Sequence, residues 1–259
     1  MADYRNFNAQ QGVATGRSQA EIDEGLRSYM LRIYNYMALA VGLTGVAALL
    51  TVNLATTTDP AMAVANMNGT LLTSFGAAIY GSALRYVVMF APMAFVLVLS
   101  FGINKLAVGT AQMIFWAFAA VMGISLSSIF LVYTGTSIAQ TFFVTAAAFA
   151  SLSLYGYTTK RNLSAMGSFL MMGLFGIIIA MVVNIFLASS ALDFAISVLG
   201  VLIFAGLIAW DTQRLKTMYD QVSHSGELMA RATIMGALSL YLDFINLFMF
   251  LLRFMGNRN

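Results

Sequence analysis

Long apolar runs, separated by single basic residues, dominate this chain and rule out a soluble fold. Only 9 % of its residues are charged, against about 25 % in an ordinary soluble domain. That is too few to coat a water-facing surface, and the mean hydropathy of +0.84 agrees. Inside a bilayer every backbone polar group must pair within the protein, which leaves helices or a closed barrel. Barrel strands alternate apolar and polar positions over about ten residues, and these runs are twice that long and do not alternate. The segments are therefore read as helices, and the fold class as an all-α membrane bundle.

Runs of span length cover Ile33 to Thr58, Tyr86 to Ile103, Gly109 to Tyr133, Ser137 to Tyr157, Met166 to Leu187, Leu192 to Gln213 and Ala232 to Leu252. An eighth uncharged stretch, Pro60 to Leu84, is diluted by Asn66, Asn68, Gly69, Thr70, Thr73 and Ser74. Basic residues choose between the two topologies, because the cytoplasmic side holds the excess. With seven spans and the N-terminus inside, ten of the thirteen Lys and Arg residues are cytoplasmic, and only Arg85, Arg253 and Arg258 are outside. An eighth span would split them almost evenly. The expectation is seven helices, the N-terminus in the cytoplasm, the C-terminus outside, and 60–84 as an external loop carrying at most a surface helix.

Residues 1–28 form a polar, flexible cytoplasmic tail ahead of a membrane domain at 29–256, and no signal-peptide core is present. Ser18 and Glu21 have the spacing of a capping box, which starts a helix at Gln19. The chain has no cysteine, so disulfides, thiolate nucleophiles and sulfur-ligated metals are excluded. The net charge of +3 comes from basic residues scattered at span ends; they mark topology rather than a nucleic-acid patch.

Ionisable groups inside spans are costly and point to function. Asp243 lies near the middle of the last apolar run, and Gly236, Ser239, Asp243 and Asn246 share one helical face. Asp211 lies near the inner end of the sixth span, one turn inside the boundary if Arg214 and Lys216 extend to the membrane surface. Simple depths put Asp211 about 5 Å and Asp243 about 15 Å from that boundary. The two meet only if the sixth helix runs on through Arg214 and the seventh slides inward, with Arg253 reaching outward. No basic residue lies mid-span to neutralise them, so a meeting pair would share a proton or hold a cation. Calcium favours such clustered oxygens, with Thr212, Gln213, Ser239 and Asn246 as candidate helpers. The plainer alternatives are a packing hydrogen bond for Asp243 and a solvated interfacial position for Asp211.

Elsewhere the bland readings are the better ones. His224 is a solvated loop residue, Asp193 a first-turn acid complementing the helix dipole, and Asn184 interhelical glue. Methionines and the glycines of GSFLMMGLFG serve packing. No phosphate loop, resident metal cluster or nucleophile–base set is present, so no cofactor is expected.

Three segments, TAAAFASLSLYGYTTKRNLSAMGSFLMMGLFGIIIAMVVNIFL, GLIAWDTQRLK and GALSLYLDFINLFMFLLRFMG, resemble the Bax inhibitor-1 (transmembrane Bax inhibitor motif) family, in particular its bacterial inner-membrane members. The resemblance covers about residues 30 to 256, and its most specific parts are Asp211-Thr212-Gln213 and the Leu-Asp at Asp243. It implies a seven-helix fold with the last helix at the centre, and Asp211 and Asp243 as a pH-sensing gate for calcium leak. It also admits a regulatory role, with a membrane protease engaged by the N-terminal tail. An intramembrane aspartyl protease is the enzymatic alternative. The sequence speaks against it: Tyr-Leu precedes Asp243 where Gly-x-Gly is required, and the only prolines are Pro60 and Pro92. The chain is read as a non-enzyme whose partners are the bilayer and calcium or protons.

Overall fold

A computed structural model describes residues 19–258 except 68. Its seven long helices are α1 (Gln19–Ala55), α2 (Leu84–Gly102), α3 (Val108–Leu126), α4 (Gly135–Thr158), α5 (Ser164–Leu187), α6 (Ser190–Val222) and α7 (Gly226–Met255). All seven are long and apolar enough to cross a membrane. The expected helix at Gln19 is therefore continuous with the first span rather than a separate surface piece. The tail to Arg17, and the Ser18 side of the capping box, lie outside the described residues.

Burial sorts the helices by position. In α7, 67 % of the most apolar window is buried, against 11–39 % in the other six. It packs on α6, α1, α4 and α3, so the last helix is the hub, as the resemblance implied. Around it α1, α2 and α3 form one group and α4, α5 and α6 another, with α2 and α5 outermost. Phe101 on α2 and Phe186 on α5 are more than 80 % exposed. Large aromatic side chains that bare suit a lipid-facing surface.

Lipid tails are as apolar as leucine, so close backbone approach and interhelical hydrogen bonds hold such a bundle together. Gly123 on α3 abuts the Thr44 carbonyl of α1, and Gly156 on α4 abuts the Ala209 backbone of α6; a Cβ at either would collide with main chain. At the hub, the Thr44 and Tyr241 hydroxyls are 2.7 Å apart, and Thr44 also reaches the Ala119 carbonyl at 2.8 Å. One buried site thus ties α1, α3 and α7.

The 60–84 stretch does not span, as expected, and it holds no lengthwise surface helix. It folds as a 3₁₀ turn (Pro60–Met62), an antiparallel hairpin of β1 (Ala65–Met67) and β2 (Thr70–Leu72), and short helical turns leading into α2. Gly69 sits at φ +84°, the left-handed turn position that favours glycine, and its N–H donates to the Asn66 side chain. Leu72 is buried against Ala55, Ile79, Tyr80 and Leu131, which pins the hairpin across the ends of α1 and α3.

Candidate functional site

α6 and α7 run antiparallel, joined by the turn at 223–225, which carries an exposed His224. Their register is set by small-residue contacts: Gly200 faces Phe250 and Gly236 faces Leu215. The same register puts Asp211 opposite Ser239, whose hydroxyl donates to Asp211 Oδ2 at 2.6 Å. Asp243 follows Ser239 by one turn of α7, about 6 Å along its axis. The depth gap expected from the sequence closes because both helices overrun their apolar segments: α6 continues to Val222 and α7 begins at Gly226.

The two carboxyl groups thereby line one cavity wall, Asp243 one helical turn beyond the Ser239 that holds Asp211. They are 5 % and 6 % exposed. Oδ2 of Asp243 meets no hydrogen-bond donor among the described residues. A proton held between the carboxyls would supply one.

Arg214 departs from expectation. Its side chain, 42 % exposed, turns back one helical turn and places Nη2 2.9 Å from Asp211 Oδ1. No N–H lies along that line, so the contact is an ion pair rather than an aligned hydrogen bond. The guanidinium also lies 4.8 Å from the Trp210 ring centre and 3.2 Å from Ser239 Oγ. Trp210 is itself seated on Gly167 of α5, where a Cβ would overlap the indole. The reading that no basic group neutralises the aspartates is thus corrected. Arg214 is the partner missed from sequence, and the i,i+3 spacing Asp-x-x-Arg is the signal that marks it.

Two carboxyls and one guanidinium are neutral together when a single proton is shared, and carry one negative charge when it leaves. That charge would face a half-open cavity of about 640 Å³ lined by α5, α6 and α7, which runs from Arg214 and Ser239 past Asp243 and Asn246 to Arg253. Along α7 this is about 21 Å. Arg253 closes the far end, its guanidinium 3.9 Å from the Met181 sulfur.

Of the candidate helpers, Ser239 and Asn246 line this cavity, with the Asn246 amide spent on the Leu242 carbonyl at 2.8 Å. Thr212 and Gln213 point elsewhere. Thr212 is fully buried on another face of α6, its hydroxyl 2.9 Å from Ser153, which is 2.6 Å from the Tyr34 hydroxyl. Gln213 clamps the α4–α5 connection, accepting from the Leu163 N–H and donating to the Arg161 carbonyl, each at 2.8 Å. Consecutive helical residues point about 100° apart, so three neighbours cannot share one site. Asn184 serves a local turn rather than bridging distant helices, accepting from the Ser189 N–H at 3.0 Å. Asp193 sits in the first turn of α6 as read. Among the described residues no group of three acidic or histidine ligands forms.

A seven-helix membrane bundle whose central helix carries one member of a buried carboxyl pair is the class that fold and site define. Comparison with known proteins is consistent with it. The family model for the inhibitor of apoptosis-promoting Bax1 matches residues 26–259. The chain belongs to the Bax inhibitor-1 family. It is 47 % identical to the uncharacterized protein RP147 of Rickettsia prowazekii, over 100 % of this chain and 99 % of that one. It is 43 % identical to the inner membrane protein YbhL of Escherichia coli K12, over 90 % of this chain and 93 % of that protein. An uncharacterized protein of Caulobacter vibrioides is 46 % identical over 99 % of this chain and 98 % of its own length.

Proposed function

We propose that this protein is a pH-sensitive cation leak channel of a bacterial inner membrane, with calcium as its cargo and Asp211 and Asp243 as its gate. The observation that carries the reading is that two buried carboxyls line the wall of one cavity, with one arginine paired to Asp211. With one proton between them the group is neutral, and α6 and α7 stay latched through Asp211, Arg214 and Ser239. Loss of the proton leaves like charges side by side in a poorly solvated place, which pushes the helices apart. The same charge attracts a cation.

Only two carboxylates, with Ser239 and Asn246 beside them, face the cavity. Calcium takes six to eight oxygens, so an ion here would keep much of its water, which suits passage better than storage. Sidedness follows from the charge count: the N-terminus in the cytoplasm and the C-terminus outside. The inner-membrane placement is supported by the name of the Escherichia coli relative.

The test is calcium entry into proteoliposomes loaded with an indicator, followed across pH. Wild-type flux should rise with pH as the shared proton leaves, while Asp211→Asn and Asp243→Asn should flatten the profile. Unchanged flux and profile in both variants would sink the proposal.

A further inference from the structure

On the side of α7 away from the aspartates, α1 and α4 stand apart and leave a cleft. Its first part, about 590 Å³, extends from Arg27, Tyr34 and Tyr157 to Val41, Phe142 and Phe244. A second part of about 360 Å³ begins at the same Val41, Phe142 and Phe244 and continues to Leu49 and Gly135. The floor is aromatic: Phe244 of α7 meets Phe142 and Phe149 of α4 edge-on, each pair with ring centres 5.7 Å apart. On the α1 wall Ala38 and Gly42 are exposed, and a Cβ at Gly42 would touch nothing. The first part is therefore an open apolar trough.

Its two ends differ in charge. Arg27 at the mouth is exposed and belongs to neither ion pair of the described residues, Arg214 with Asp211 and Arg231 with Glu227. Lys216 does not line the trough and is engaged with Tyr157, donating to its carbonyl at 2.8 Å with the ammonium 5.0 Å from its ring centre, which leaves Arg27 as the basic group of the mouth. Asp23 and Glu24, one turn earlier on α1, are exposed and do not line the trough. From Arg27 to Gly42 the trough is about 22 Å long on α1. That is half of the roughly 40–45 Å between the outer edges of the two headgroup layers. An occupant with one charged head and an apolar body one leaflet deep matches it.

We propose that this cleft is a binding site for an anionic phospholipid, its phosphate at Arg27 and an acyl chain lying along Met37, Val41, Phe149 and Phe244. A bound chain touches the back of α7, the helix that carries Asp243. Phe244 adjoins Asp243 in sequence, and the Tyr34, Ser153 and Thr212 hydroxyl chain ends beside Asp211. The assignment does not depend on the channel reading, because it concerns a different face of α7.

The experiment uses the full chain in phosphatidylcholine vesicles doped with chain-spin-labelled phosphatidylglycerol or phosphatidylcholine, and reads the motionally restricted fraction by electron spin resonance. Phosphatidylglycerol should associate about fivefold more strongly than phosphatidylcholine, the factor for one basic side chain at an anionic surface. Arg27→Gln should abolish that preference while leaving a restricted component. Gly42→Trp should remove the site, whereas Gly176→Trp, at an open exposed position on α5, should not. Equal association of the two lipids, a preference that survives Arg27→Gln, or Gly42→Trp behaving like Gly176→Trp would overturn the assignment. The Arg27→Gln arm decides alone if Gly42→Trp does not fold. Because the chain lacks cysteine, Gly42→Cys adds a control: efficient disulfide-linked dimers in the bilayer would give the cleft to a second copy and overturn the lipid.

Discussion

The two faces of α7 are built from similar apolar material and have opposite electrostatics. Toward α5 and α6 it presents Ser239, Asp243 and Asn246 to a cavity shared with Asp211 and Arg214. Toward α1 and α4 it presents Tyr241, Phe244, Ile245 and Phe248, and the polar groups packed there, Thr44, Tyr241, Tyr34, Ser153 and Thr212, are neutral hydroxyls, each with a partner. A hydroxyl in a bundle is satisfied by one carbonyl or another hydroxyl and then simply holds helices together. A carboxyl needs a proton, a cation or a guanidinium, and each of these exchanges with the surroundings. One helix thus carries a static seam on one face and a chargeable one on the other.

The sharpest way to break this contrast is to neutralise the chargeable face. Asp243→Asn should lower calcium flux at high pH at least about tenfold and leave it flat with pH, since the charge that draws the cation is gone. Flux that still rises with pH in this variant would move the proton-sensitive group elsewhere. Helix packing beneath the site should come next. In Gly156→Val the added atoms meet the Ala209 backbone, with an expected loss of about 3 kcal/mol, read as a lowered thermal midpoint in detergent. A loss well under 1 kcal/mol would show that α4 and α6 are not seated as described.

A smaller effect belongs to the latch. Arg214→Gln removes the ion pair at 2.9 Å and should raise leak at low pH several-fold, because Asp211 is then held by Ser239 alone. A profile identical to wild type would reduce the arginine to a surface residue. The smallest change is expected on the static seam. Thr44→Val deletes hydrogen bonds to Tyr241 and Ala119 and should cost about 0.6–1.7 kcal/mol without shifting the pH profile. A shifted profile would mean that the two faces of α7 are coupled through its backbone.

Much of the architecture is legible without coordinates because lipid leaves few choices. A charge-free run of twenty residues has one solution, and the imbalance of basic residues at span ends removes 60–84 from the list of helices. Asp243 is recognisable as a site for the same reason, since nothing but function or a partner keeps a carboxylate at mid-run. The helper residues fared unevenly. Ser239 and Asn246 share a helical face with Asp243, and that periodicity is written in the chain. Thr212 and Gln213 adjoin Asp211 only along the chain, and the helical rotation between neighbours turns them toward Ser153 and Arg161.

The sequence alone therefore determines the class of the fold, the number of spans and the helices that carry acid. Each of these depends on the composition of a single segment against a solvent of known thickness. The tertiary structure decides whether the acids meet, what neutralises them and what lies behind them. Those outcomes depend on the offset between helices, which Gly200, Gly236 and the overrun of α6 to Val222 establish only when the partners are in place. Arg214 makes the point most plainly: the chain positions it at the membrane surface, and only the docked Ser239 and Trp210, seated on Gly167, give its side chain a reason to turn inward.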